Sequence, residues 1–216
     1  MDASTPAELI YGNRRPPPMM TVHSDTLLPG ETVQVGAMTV TSAARTAFDI
    51  GRRTSSRPRV LQRLDALANA TDVKRGDVEA VAIQHPGARG LVHLRQVLPL
   101  VDGGAESPQE TRTRLVLIDA GLPTPQTQIR VFNAYGDLIG RIDMGYEEFR
   151  VGIEYDGPQH WTDPKRRARD IDRQAELEAE GWIIIRVSSD LLHHRTRTVV
   201  VRVIEAMTAR GWGGRL

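Results

Sequence analysis

The stretch Val151-Gly-Ile-Glu-Tyr-Asp-Gly157, preceded by Arg141-Ile-Asp-Met144, decides the fold of the second half of the chain. Each stretch predicts a strand, and because side chains alternate along a strand, Glu154 and Asp156 share one face. If the two strands pair, Asp143 joins that face. Carboxylates this close repel one another and are poor strand formers, but a divalent cation between them removes the penalty. Hard oxygen ligands of this kind suit Mg²⁺ or Mn²⁺. An acidic face on solvated edge strands is the alternative interpretation.

The segments around these strands predict an α/β or α+β unit. Ser107-Pro-Gln-Glu110 has the form of a capping box, which indicates a helix that runs to about Ala120 and stops at Gly121. The remaining elements are predicted as strands at 127–133, 138–145, 150–156 and 182–187, the last of them buried, and as helices at 164–180 and 197–210. The order α-β-β-β-α-β-α predicts a mixed sheet flanked by helices.

The first half predicts a smaller, mostly helical region. Its first 30 residues are weakly patterned, and residues 32–40 predict a strand pair that turns at Gly36. Ser42 suits the N-cap of a helix over 43–53, which places Arg45 and Asp49 four residues apart on one face. Apolar spacing predicts further helices at 58–70, 75–84 and 88–100. Gly103-Gly104 is the best boundary candidate, so the predicted domains are residues 1–104 and 105–216.

The amino-acid composition excludes several classes of protein and of active site. The 216 residues contain no cysteine, which excludes disulfide scaffolds, zinc ribbons and cysteine nucleophiles and fits a reducing compartment. No apolar run approaches the roughly 20 residues that a membrane helix needs, and the start of the chain has no secretory signal pattern. We therefore expect a cytoplasmic protein without a membrane partner. The net charge is +1, so a nucleic-acid role requires a local basic patch.

Two further features add to the acidic strands. His160 follows Asp156 in a Gly-Pro loop, where a histidine can transfer a proton near neutral pH; alone, it would be an ordinary surface histidine. The next helix opens with basic residues suited to DNA phosphates, although a solvated helix face is an equally good interpretation. These residues are Lys165, Arg166, Arg167 and Arg169. On the same helix Asp170 and Arg173 are three residues apart, a spacing that favours a pair between them.

Residues 106–210 resemble the nuclease-like domain related to the very-short-patch-repair endonucleases, within the PD-(D/E)XK or restriction-endonuclease-like superfamily. The positions that carry the resemblance are Glu110, Gln128, Asp143, Glu154, Asp156-Gly157, His160, Asp170, Arg173, Gly181-Trp182 and Arg186-Val187. The resemblance implies that Asp143 and Glu154 hold a metal, and that Glu110 is an outer acidic ligand that acts directly or through water. It also implies proton transfer by His160, a hydrogen bond from Gln128 near the site, and bracing by Asp170 and Arg173.

One position departs from the superfamily pattern. Asp156, which we keep among the candidate catalytic residues, stands where the superfamily usually has lysine. That lysine positions the attacking water and stabilises charge in the transition state. Lys165 or Arg169 could supply a cation instead, and the very-short-patch-repair group itself uses histidine near the metal.

The first half resembles another family. Val40-Thr-Ser-Ala-Ala-Arg-Thr-Ala-Phe-Asp49 is similar to the C-terminal part of abortive-infection-type antitoxin proteins. Longer relatives carry a winged helix-turn-helix before this part, and we expect this chain to begin downstream of it.

These observations leave three hypotheses. The leading one is a Mg²⁺-dependent endonuclease that hydrolyses DNA. The alternative is a catalytically weak DNA-binding or antitoxin-like regulator, whose acidic cluster is structural. The third is an adaptor that binds a separate toxin or another protein partner.

Overall fold

A computed structural model describes residues 7–12, 19–157 and 164–214, with the backbone alone described for 164–168. The strands are β1 (Ala7–Ile10), β2 (Met20–His23), β3 (Thr32–Val35), β4 (Met38–Thr41), β5 (Gln126–Phe132), β6 (Leu138–Tyr146), β7 (Val151–Asp156) and β8 (Ile183–Ser188). The helices are α1 (Ala43–Arg53), α2 (Arg57–Ala70), α3 (Arg75–Gln84), α4 (Leu91–Val97), α5 (Pro108–Asp119), α6 (Pro164–Ala179), α7 (Ser189–His194) and α8 (Thr196–Ala209).

The predicted mixed α/β fold is confirmed. The sheet has the strand order β5-β6-β7-β8, in which β6 pairs antiparallel with β5 and β7, and β8 pairs parallel with β7. A parallel pair needs a crossover connection, and α6 lies in the segment that joins β7 to β8. The sheet therefore brings β6 and β7, which carry the predicted carboxylates, together at its centre.

Helices pack on both faces of this sheet. Ile153 joins a cluster that holds residues of α5, α7 and α8. Its neighbour Gly152 lies on the opposite face of β7, where a Cβ atom would meet Ile142 and Ile184. Those two residues belong to a second cluster with Leu177 of α6. The site described below lies between these two layers of helices.

The first half packs around a different core. This core joins residues of α1 to α4 and also includes Leu115 of α5. Buried polar groups brace it, since Arg45 donates to Asp49 four residues later at 3.0 Å and to Glu31, as the shared helix face predicts. The β3–β4 hairpin turns at Gly36, whose φ of 58° favours glycine.

The structure corrects several element predictions. The weakly patterned start contains a parallel pair, β1 and β2, that the sequence did not reveal. The predicted helix 88–100 is α4 followed by a 3-10 turn at Leu98–Leu100. The predicted buried strand 182–187 corresponds to β8, at one edge of the sheet formed by the described residues, where Ile185 and Val187 are buried and Arg186 is exposed. The domain boundary at 104/105 stays a prediction.

Candidate active site

The site begins where β6 and β7 separate. Their backbone pairing runs from Tyr146 opposite Val151 to Met144 opposite Ile153 and is not continued. At the next position the Asp143 carboxylate replaces the backbone partner, because its Oδ2 accepts the Tyr155 N–H at 2.8 Å. The side chain of Asp143 thus spans the gap between the two strands.

Asp143 carries a perturbed carboxyl group. Burial raises the pKa of Asp143 to about 6, the Tyr155 N–H opposes the rise, and the charges of Glu110 and Glu154 add to it. Desolvation and like charges both penalise the ionised form of a carboxyl group. Glu110 and Glu154 are thus carboxylates whose charges act on Asp143, and the predicted cluster of Asp143, Glu154 and Asp156 stays a prediction.

Glu154 is held by an arginine from α6. Its side chain is largely buried, and Nη2 of Arg173 donates to both carboxylate oxygens, at 2.7 and 2.8 Å. The sequence suggested a pair between Arg173 and Asp170, three residues apart, but among the described residues Arg173 forms its ion pair with Glu154. Arg173 thus contacts Glu154 directly, and the bracing roles of Arg173 and Asp170 stay predictions.

Glu110 belongs both to the helix cap and to the cluster. The capping box is confirmed in part, because the Glu110 N–H donates to Ser107 Oγ at 3.2 Å. The hydroxyl of Ser107 donates to Glu110 Oε1 at 2.7 Å, and the N–H of Glu106 donates to Glu110 Oε2 at 2.9 Å. Both oxygens therefore accept protein hydrogen bonds, which suits a ligand role through water better than direct coordination.

Gln128 is the most unusual polar residue at the site. The register of β5 and β6 places it opposite Asp143, and its φ of 55° lies in the left-handed region that glycine favours. Its Nε2 donates to Glu110 Oε2 at 3.4 Å, as expected for a hydrogen bond near the site. Its Oε1 is buried and has no hydrogen-bond partner among the described residues. Strained backbone and an unsatisfied buried oxygen are both features of functional sites.

The remaining candidates are less well defined by the structure. Asp156 is half-buried at the end of β7, with Oδ2 3.8 Å from Nη1 of Arg186 on β8. His160 lies outside the described residues. The side chains of Lys165, Arg166 and Arg167 also lie outside them, whereas Arg169 is exposed on α6.

The oxygen atoms present fit a hard divalent cation. In the ranges that the structure describes, no three histidine, aspartate or glutamate side chains are grouped as a ready metal site. Asp143, Glu154 and the unsatisfied Oε1 of Gln128 nevertheless supply carboxylate and carbonyl oxygens on three adjacent strands. Mg²⁺ is usually bound through one or two carboxylates and keeps several waters. The carboxylate and carbonyl oxygens of these three residues are therefore of the kind that Mg²⁺ binds.

Comparison with known proteins supports the mixed α/β fold of the second half of the chain. Residues 112–207 match the family model REase_MTES_1575. This family is restriction-endonuclease-like. The match includes Gln128, Asp143, Glu154 and Arg173 and begins just after Glu110. Restriction-endonuclease-like proteins generally use divalent metals, which agrees with the oxygen-rich donor set.

Relatives extend the similarity into the first half. The chain is 32% identical over 170 residues to the uncharacterized proteins MT2308 and Rv2248 of Mycobacterium tuberculosis. The alignment includes 79% of this chain, which spans 62% of the length of these relatives. No solved structure matches the chain. The resemblances to very-short-patch-repair endonucleases and to antitoxin proteins stay predictions.

A buried acidic residue that contacts α5 was not predicted from the sequence. Asp65 of α2 is 1% exposed and accepts hydrogen bonds from Thr111 and Arg114 of α5. A signal for it was available, because Asp65 interrupts the apolar stripe of α2 four residues after Leu61. A charge in such a stripe is retained only where it is paired.

Proposed function

We propose that this protein is a metal-dependent endonuclease that hydrolyses phosphodiester bonds in DNA. The observation that carries the proposal is the buried carboxyl group of Asp143, which bridges β6 and β7 where their pairing stops and feels the charges of Glu110 and Glu154. Like charges around a buried carboxyl group raise the free energy of its ionised form, and a bound cation would offset that cost. The restriction-endonuclease-like match over the same strands supports the proposal.

Each residue at the site has a distinct role in this proposal. Asp143 and Glu154 would hold Mg²⁺ or Mn²⁺, with Gln128 Oε1 as a third oxygen and Glu110 acting through water. Once bound, such a cation lowers the pKa of a ligated water and offsets the charge of the phosphate. His160 would transfer a proton, and the basic start of α6, from Lys165 to Arg169, would contact DNA phosphates.

Arg173 is the residue best placed to replace the missing lysine. Its guanidinium already contacts Glu154, and 27% of its side chain is exposed. Arginine binds phosphate through a planar array of donors and stays charged at any physiological pH. We propose that Arg173 stabilises charge on the phosphate when DNA is bound. Asp156 would assist from the end of β7, beside Arg186.

A matched pair of variants tests this function. Glu154→Gln removes a buried carboxylate that acts on Asp143, whereas Glu148→Gln makes the same change at an exposed position in the 3-10 turn between β6 and β7. We expect Glu154→Gln to lower the rate of Mn²⁺-dependent plasmid nicking by at least about a hundredfold. Glu148→Gln should nick like the unaltered chain. Equal nicking by the two variants contradicts the assignment.

The second candidate is a regulator that binds DNA without cutting it. The ion pair between Arg173 and Glu154 favours it, because a guanidinium can neutralise the carboxylates where a metal would otherwise do so. Calorimetric titration with MnCl₂ separates the two functions. A nuclease site binds Mn²⁺ with micromolar to millimolar affinity, and a regulator with a structural cluster shows no binding heat.

A further inference from the structure

A buried aspartate links the first half of the chain to the candidate active site. Asp65 of α2 is 1% exposed, and each of its oxygens is engaged by the second half or the segment before it. Its Oδ1 accepts the N–H of Asp102 at 2.9 Å. Its Oδ2 accepts the hydroxyl of Thr111 at 2.9 Å and Nη2 of Arg114 at 2.8 Å. A charge so completely buried fixes the geometry of the groups that satisfy it.

Two of these contacts lead directly to the site. Thr111 follows Glu110 in the first turn of α5. The carboxylate of Asp102 accepts the hydroxyl of Thr127 at 3.1 and 3.0 Å, and Thr127 precedes Gln128 in β5. Gln128 in turn donates to Glu110. These hydrogen bonds, together with the peptide links between residues 110 and 111 and between 127 and 128, form a closed ring that contains Asp65. The relative positions of Gln128 and Glu110 therefore depend on Asp65.

The loop that carries Asp102 is packed too closely to act as a free linker. The carbonyl of Gly103 accepts Nδ2 of Asn69 at 2.8 Å, and the N–H of Gly104 donates to Asp102 Oδ1 at 2.8 Å. A Cβ atom on Gly104 would collide with the side chain of Thr127. The sequence suggests a boundary at these glycines, but the structure packs the loop between α2 and β5. A shift of α2 would therefore be passed on to β5.

We propose that Asp65 is a positioning residue for divalent-cation binding at the carboxylate cluster. It fixes the first turn of α5 through Thr111, and it fixes β5 through Asp102 and Thr127. The first half of the chain is thereby part of the metal site, although it supplies no ligand. This inference rests on the proposed metal-dependent function, and its test separates the two.

The test measures Mn²⁺ binding by the full chain with titration calorimetry. Thr127→Val removes the hydroxyl that Asp102 accepts and nearly preserves the volume, while Thr127→Ser keeps the hydroxyl. Thr113→Val is the matched control, because among the described residues the buried Thr113 hydroxyl bonds only to the backbone of its own helix, at Gln109. Supporting residues around metal sites typically contribute about tenfold to affinity at the low end. We expect Thr127→Val to bind Mn²⁺ about tenfold more weakly and the other two variants to bind within about twofold of the unaltered chain.

Asp65→Asn tests the positioning residue itself and should also weaken Mn²⁺ binding. This change leaves the buried Arg114 without its counter-charge, so the variant can fail to fold. Thr127→Val changes no charge and keeps the test decisive in that case. Melting temperatures of the metal-free proteins identify the folded variants.

The outcomes are distinct. Weaker binding by Thr127→Val together with recovery in Thr127→Ser supports the inference. Unchanged Mn²⁺ affinity in a folded Thr127→Val variant overturns it and leaves the metal-dependent function standing. Equal weakening by Thr113→Val also overturns it, since the effect would then be unspecific. Absence of Mn²⁺ binding by the unaltered chain overturns both proposals.

Discussion

Replacing Asp143 with asparagine should stabilise the protein while removing its proposed activity. A raised pKa means that the folded state favours the protonated carboxyl, so ionisation of Asp143 costs stability as pH rises from its ordinary pKa of 3.8 through about 6. This ionisation lowers the free energy of unfolding by about 3 kcal/mol at about pH 7.5, but by less than about 1 kcal/mol at about pH 4. Asparagine avoids this cost and keeps an oxygen that can accept the Tyr155 N–H.

Urea unfolding followed by tryptophan fluorescence measures this difference, in the presence of EDTA. We expect Asp143→Asn to exceed the unaltered chain by about 3 kcal/mol at neutral pH and to converge with it in acid. Asp137→Asn, at an exposed turn between β5 and β6, should show no such pH-dependent gain. If Asp143→Asn is no more stable than the unaltered chain at neutral pH, or is more stable by the same amount at neutral and acid pH, the electrostatic account of Asp143 is refuted.

Three further predictions concern other parts of the structure. Arg173→Met leaves Glu154 without its ion pair, so the metal-free protein should lose about 1–3 kcal/mol of stability in urea unfolding. Mn²⁺ should restore part of this loss, and an unchanged unfolding midpoint would count against the bracing role. Gly104→Ala forces a collision with β5 and should cost about 1–3 kcal/mol by the same assay, whereas a neutral effect would mean that the loop yields freely. Charge reversal at Arg166 and Arg167 should weaken DNA binding in fluorescence anisotropy and flatten its salt dependence, and an unchanged slope would exclude these residues from the DNA contact.

Local patterns predicted much of the fold. The hydrogen bond from the Glu110 N–H to the Ser107 cap and the pairing of Arg45 with Asp49 depend on fixed spacings within one helix, and the structure has both. The β1–β2 pair was missed because two short, mostly exposed strands leave no periodic signal. The edge position of β8 depends on strand order, which an apolar run alone does not encode.

The candidate residues could be singled out from the sequence, but their contacts could not. Asp143 and Glu154 stand out because charged residues in strands are costly and need a reason. The partner of Glu154 could not be predicted, because Arg173 is 19 residues away and on another element. Spacing suggested a local pair with Asp170 instead. The network around Asp65 joins residues 37 to 49 positions apart, which only the tertiary structure brings together.

Nicking of supercoiled plasmid by the full chain, beside its Asp143→Ala variant, tests the central claim most directly. With Mg²⁺ or Mn²⁺ we predict that the unaltered protein produces open circles, that EDTA abolishes the reaction, and that the variant gives none. Failure of the unaltered protein to nick in either metal, or equal nicking by the Asp143→Ala variant, would contradict a metal-dependent nuclease centred on Asp143.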